Sequence, residues 1–234
     1  MGQGQYDLRS VSGFVADQDG RLMWAVWRTG LTEFRPQLVS YGGGVNLHAW
    51  MMADFTSVRS KLLDSVIRLV PQDRWHEQVD GGGATIAGLL LHIARHHDLA
   101  VNAVIRSHPA LFLINREPLG LSAAPLSVGL SESEDHQATA NIEPKALVEY
   151  INAVFDQTAE WLAHLGDLVL DIEPHTELRL STHAGLERHE LPWLYSMWEG
   201  KQLWWLVQWP VIGHGHAHIG EAISIRNRMG LSPF

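Results

Sequence analysis

Cysteine is absent from this 234-residue chain. No disulfide framework can form, which fits a reducing cytoplasm. Thiolate ligands and a cysteine nucleophile are excluded with it. Any metal must therefore sit on His, Asp or Glu, and any thiol in a reaction must arrive on a co-substrate. Long apolar runs are missing as well: none approaches the roughly 20 residues that a helix needs to cross a bilayer. The N-terminus has neither the basic start nor the apolar stretch of a signal peptide. Positive charge is scarce, with 17 Lys and Arg against 26 Asp and Glu and a formal net charge of −9. Phosphate binding needs a clustered basic surface, so nucleic acid and anionic membranes are excluded as partners. The expectation is a cytoplasmic protein that works on a small molecule.

What is present describes a globular domain. The chain is 46% hydrophobic and 18% charged, long enough for one sizeable core. Residues 1–50 differ from the rest: they carry scattered glycines, the run SYGGGVNLHAW and no sustained period. They are expected to be a flexible extension or sequence upstream of a misassigned start; the competing reading is a small β-rich appendage around RLMWAVW.

From Met51 onward helical periods dominate, and residues 51–234 are expected to form an all-α, four-helix bundle with one long crossover. The first helix is expected over about 54–70, with Asp54 and Thr56 offering N-cap chemistry, ending before Pro71. The second, TIAGLLLHIARHHDLAVNAVIRSH, spans about 85–108. Residues 109–142 are rich in Pro, Ser, Ala and Gly, hold the acidic ESED run and read as a long crossover loop. A third helix starts near Pro144, a favourable first-turn residue, and keeps one apolar face only if Thr158 is tolerated on it. DLVLDI and ELRLSTHA, within 166–185, read as a small hairpin or an extended crossover. A last helix is expected over about 201–229, interrupted at Pro210 and closed by Gly230.

The chemistry concentrates in HGHAHIGEAISIRNRMGL, residues 214–231. Val207, Val211, His214, His218, Ala222, Ile225 and Met229 follow steps of four and three, the stripe that a helix turns toward a bundle core. His214 and His218 stand one turn apart on that face, and His216 points away. Two imidazoles at this spacing can share one metal ion. The second helix offers a third ligand in His92, His96 or His97, and spacing alone does not choose among them. Three neutral imidazoles leave an open position and suit Zn²⁺, Ni²⁺ or a similar divalent ion. The alternative is histidines hydrogen-bonded inside a core, since 14 histidines produce such pairs by chance.

Two stretches resemble the DinB-like (YfiT-type) superfamily of bacterial four-helix bundles: TIAGLLLHIARHHDL on the second helix, and HGHAHIGEAISIRNRMGL on the last. The resemblance covers roughly residues 51–231 and departs from the family in its long crossover, in Pro210 and in residues 1–50. It implies a divalent metal held by one histidine of the second helix and two of the last, and it chooses His92, with His214 and His218. It further implies a metal-dependent hydrolase or a transferase of a low-molecular-weight thiol. Glu221 shares the ligand face, as a partner of a ligating imidazole, as a general base, or as a surface carboxylate paired with Arg226 or Arg228. Trp193, Trp198, Trp204, Trp205 and Trp209 read as core, as walls of an apolar pocket, or as the face of an expected homodimer. The functional alternatives are a non-catalytic bundle that binds metal or a small ligand, with a stress-related role, and a structural dimer with core histidines.

Overall fold

The computed structural model describes residues 11–16, 22–27, 46–131, 139–165 and 170–234. They belong to two units, Met1–Asn46 and Leu47–Phe234. In the first, strands β1 (Val11–Ala16) and β2 (Leu22–Trp27) pair antiparallel, Val11 opposite Trp27 and Ala16 opposite Leu22. The RLMWAVW stretch thus supplies β2. The remainder of residues 1–45, including the triple glycine, lies outside the described residues.

The second unit is all-α. Helix α1 (Leu47–Leu62) begins well ahead of the expected N-cap, which moves the unit boundary from 50/51 to 46/47. The Thr56 hydroxyl does not cap; it donates to the Met52 carbonyl one turn back, at 2.7 Å. Beyond α1 the coil widens into π-type turns over Leu63–Ile67, where the Arg68 amide reaches the Leu63 carbonyl at 3.0 Å. Helix α2 (Ile86–Asp98) is capped by Thr85, whose hydroxyl accepts from the Gly88 amide at 3.1 Å. It also widens, over Leu99–Ile105.

The connection to the next long helix is not an open loop. Short helix α3 (Phe112–Asn115) opens it, and Leu119, Leu121, Val128 and Leu130 are buried. The ESED run, 132–135, lies outside the described residues. Helix α4 (Pro144–Ala163) has Pro144 in its first turn. Thr158 is tolerated on its buried face because its hydroxyl donates to the Val154 carbonyl at 3.0 Å.

The hairpin expected within 166–185 is corrected. Residues 166–169 lie outside the described residues, and Thr176–Ala184 is helix α5. Its leucines alternate in the sequence, but the buried set is Thr176, Leu180 and Ala184, spaced by four, while Leu178 is exposed. Gly185 ends the helix in the left-handed conformation at φ 66°. Helix α6 (Pro192–Trp198) and the single turn α7 (Leu203–Leu206) follow. A third widened segment, Val207–Gly213, carries Pro210 and runs directly into α8 (His214–Arg228). Proline has no amide proton to give a regular turn, so the expected interruption takes the form of a wide coil.

Helices α2 and α1 each pack against both α4 and α8, and these four enclose the core. Phe55 of α1 stacks on Phe155 of α4 at 5.6 Å between ring centres. Helix α8 comes so close to α1 that a Cβ on Gly215 would lie 3.0 Å from a Val58 methyl. No described helix is long and apolar enough to cross a membrane.

Candidate metal centre

Helix α2 is covered on every side, and nearly all its residues are buried, including His92, His96 and His97. A wheel projection cannot rank three histidines that are all inside; their neighbours do. His97 turns toward α1 and α4, 5.9 Å from the Phe55 ring centre and 4.6 Å from that of Phe155. Its Nε2–H donates to the Thr158 hydroxyl at 2.8 Å, because that oxygen has spent its own proton on Val154. His97 is a core histidine.

His92 and His96 face α8 instead. The Nε2 atoms of His92 and His214 are 3.0 Å apart. His92, His214 and His218 each offer one nitrogen within 4.8 Å of the other two, and all three are buried. Imidazole nitrogens sharing a tetrahedral ion at about 2.0–2.1 Å stand about 3.4 Å apart, so modest side-chain adjustment would close this group on one ion. His96 packs beside it, 4.6 Å from the His92 ring centre and 4.3 Å from that of His214. His216 points elsewhere, half-buried near Lys61 and Asp54.

Burial dominates the electrostatics. It pushes His92 down to about 4, with His218 adding to the effect, and His96 down to about 3, with His92 adding. His97 falls to about 3 through burial alone. His214 is pushed down too, first by burial and then by His96, His92 and His218. At neutral pH these rings are uncharged, the state in which an imidazole can ligate a metal.

Hydrogen bonds on the far edges of two rings fix which nitrogen is offered. His92 Nδ1–H donates to the Gly129 carbonyl at 3.0 Å, and His218 Nδ1–H donates to Glu221 Oε2 at 3.0 Å. Each ring is then left with Nε2 as the nitrogen it can offer to an ion. His214 Nδ1 is buried without a partner. The His92 and His214 Nε2 atoms, 3.0 Å apart, can share a proton or a cation, and a donor set of three imidazoles fits a borderline divalent ion. The residues therefore fit a metal.

Glu221 meets His218 on the Nδ1 edge, remote from the nitrogen facing the other ligands. That geometry supports the role of holding a ligating ring. Neither arginine considered for it is its partner: Arg228 pairs with Asp80 at 2.9 Å, and Arg226 bonds Asn227 and the Ser65 carbonyl. Of the five tryptophans, Trp198 is fully buried core, 6.1 Å from His96. Trp193 and Trp209 are partly exposed, 6.0 Å from His96 and 6.3 Å from His214 between ring centres. Trp204 is exposed, and Trp205 lies beneath the Lys201 ammonium at 5.4 Å. A separate cleft of about 520 Å³ is lined by Glu173, Glu177, Arg188, Tyr195 and Glu199, with none of the clustered histidines on its walls.

Sequence reasoning missed the backbone partners of these rings. The carbonyls of Gly129 and Leu130 come from the connection after α2, and a carbonyl leaves no trace in residue identity. Gly129 itself was the available signal, since it adopts φ +79°.

No family model matches the chain, and no curated protein is similar to it. Among solved structures, a conserved protein from Enterococcus faecalis is similar, with a TM-score of 0.53 and 15% identity over 80% of this chain and 99% of that one. At that identity the likeness speaks for the all-α fold alone. The three buried histidines that could hold a metal ion are a feature of this chain's own geometry.

Proposed function

We propose that this chain is a metal-dependent enzyme of the DinB-like type, acting as a hydrolase or as a transferase of a low-molecular-weight thiol. The observation that carries the reading is the convergence of three buried imidazoles from α2 and α8, two with their far edges already anchored. The sequence resemblance on those same two helices supports it. His92, His214 and His218 would hold the ion, with Zn²⁺ and Ni²⁺ the best matches to three borderline nitrogen donors.

The chain's own contribution is positional. Gly129 and Glu221 aim the His92 and His218 rings, and burial keeps the His92 ring unprotonated. When bound, the ion supplies Lewis acidity toward an oxygen or sulfur nucleophile. The chain has no cysteine, so a sulfur nucleophile would come from a thiol co-substrate. Partly exposed Trp193 and Trp209 would meet the apolar portion of a small substrate. The expected cytoplasmic setting and homodimer belong to the same reading.

The test is elemental analysis of untagged protein purified without added metal, beside a His214→Ala/His218→Ala variant. About one Zn, Ni or similar ion per chain, lost in the folded variant, supports the reading and opens a screen of thiol transfer against hydrolysis. Absence of bound metal in the wild type, even after soaking, overturns it.

A further inference from the structure

One face of α2 grips the connection that follows it. Arg95, 1% exposed, donates from Nη2 to the Leu126 carbonyl at 2.6 Å and from Nε to the Val128 carbonyl at 3.2 Å. Its guanidinium lies 3.6 Å above the Phe112 ring. The next two carbonyls go to histidines: Gly129 to His92 Nδ1 at 3.0 Å and Leu130 to His96 Nε2 at 3.0 Å. Nearer the start of the connection, the Asp98 carboxylate accepts from the Leu111 and Phe112 amides at 3.0 and 2.9 Å and from the Tyr150 hydroxyl at 2.8 Å. Residues 92, 95 and 96 share a face at one-turn spacing, so four strap carbonyls meet a single strip of helix.

The contact demands glycine at 129. Its φ of +79° is strained for other residues, and a Cβ there would lie 2.8 Å from Leu91 Cγ and 3.0 Å from Arg95 Cγ. Those are inner atoms of buried side chains, so the backbone at 129 would have to retreat from α2.

We propose that the 126–130 segment is a backbone strap that sets the metal affinity of the centre, with Gly129 as a positioning residue that holds His92 in its Nδ1–H form. Packing alone would need only apolar contact; here consecutive carbonyls are delivered to two adjacent imidazoles. Since the strap favours the ligating form of His92, metal binding must in turn stabilise the strap. The inference rests on the proposed metal site.

The full-length chain is compared with Gly129→Ala and with Gly120→Ala. Gly120 lies in the same connection at φ +76°, where a Cβ would meet the Asn141 carbonyl at 2.5 Å, but it serves no histidine. Zn²⁺ affinity is measured by chelator competition, and folding by denaturant titration of the metal-free proteins. Gly129→Ala is expected to weaken Zn²⁺ binding by about 10–100-fold. Gly120→Ala is expected to lose stability and keep affinity within about threefold. Equal losses of affinity in the two variants, or wild-type affinity in Gly129→Ala, overturn the proposal. Should Gly129→Ala not fold, imidazole ¹⁵N spectra of the metal-free wild type decide: His92 protonated at Nδ1 supports the strap, and protonation at Nε2 alone overturns it. The spectra need no metal: a wild type that binds none defeats the proposed function and the strap's effect on affinity, while the strap's hold on the His92 tautomer is still read.

Discussion

Acidification should unfold the metal-free protein well above the usual carboxylate range, because its interior holds imidazoles as neutral groups. His92, His96 and His97 stand at about 4, 3 and 3 in the fold, against about 6.5 in the unfolded chain. A folded-state pKa lowered in this way makes the unfolded chain the better proton binder below about pH 6.5. The stability these groups contribute is complete above that pH and drains away as pH falls toward 4. From pH 7 to pH 5 each group costs about 2 kcal/mol, and the three together about 5–6 kcal/mol. A domain is stable by about 5–15 kcal/mol in total, so the loss takes a third of it or more. Urea or guanidinium titrations followed by helical circular dichroism between pH 7 and 5 read the effect as a slope, and exposed carboxylates contribute little there. His97→Leu should reduce the mean slope over this range by about 1 kcal/mol per pH unit, since burial alone shifts that ring. An unfolding free energy that stays level from pH 7 to 5 would refute the buried, neutral state of these histidines.

Other outcomes follow from single contacts. Glu221→Gln should weaken Zn²⁺ binding by about tenfold with little change in metal-free stability, since the half-exposed carboxylate orients His218 and holds no part of the core; isothermal titration reads this directly. Tyr150→Phe should cost about 1–3 kcal/mol in denaturant titration, because it removes the donor at 2.8 Å from the fully buried Asp98 carboxylate. Protease sensitivity in the connection after α2 should rise with it, as Asp98 also holds the Leu111 and Phe112 amides.

The histidine-bearing stripe on the last helix was legible because it obeys a regular sequence period: Val207, Val211, His214, His218, Ala222, Ile225 and Met229 are all buried, as their spacing predicts. The long helices announced themselves in the same way. What failed had a local physical cause. Thr56 looked like a cap, but a threonine inside a helix can satisfy its hydroxyl on the preceding turn. ELRLSTHA alternates like a strand, and only the packing of Leu180 and Ala184 decided for a helix. The choice of His92 over His96 and His97 turned on which neighbour each ring meets, and a fully covered helix offers no exposed face from which to read that. The carbonyls that aim His92 and His96 lie far along the chain, in a stretch that reads as loop by composition.

The widened coil over Val207–Gly213 gives the length of that segment a meaning beyond its residue types. A regular helix advances about 100° per residue and a wide turn somewhat less, so removing one residue while the coil stays wide would rotate everything after it by most of that angle. His214 and His218 would swing off the face that meets His92, and α8 would still be a helix. Substitutions there can be absorbed by repacking, whereas such a one-codon deletion would leave a folded chain whose three histidines no longer converge. Across diverging lineages, the count of residues between α7 and His214 should be held more tightly than their identities.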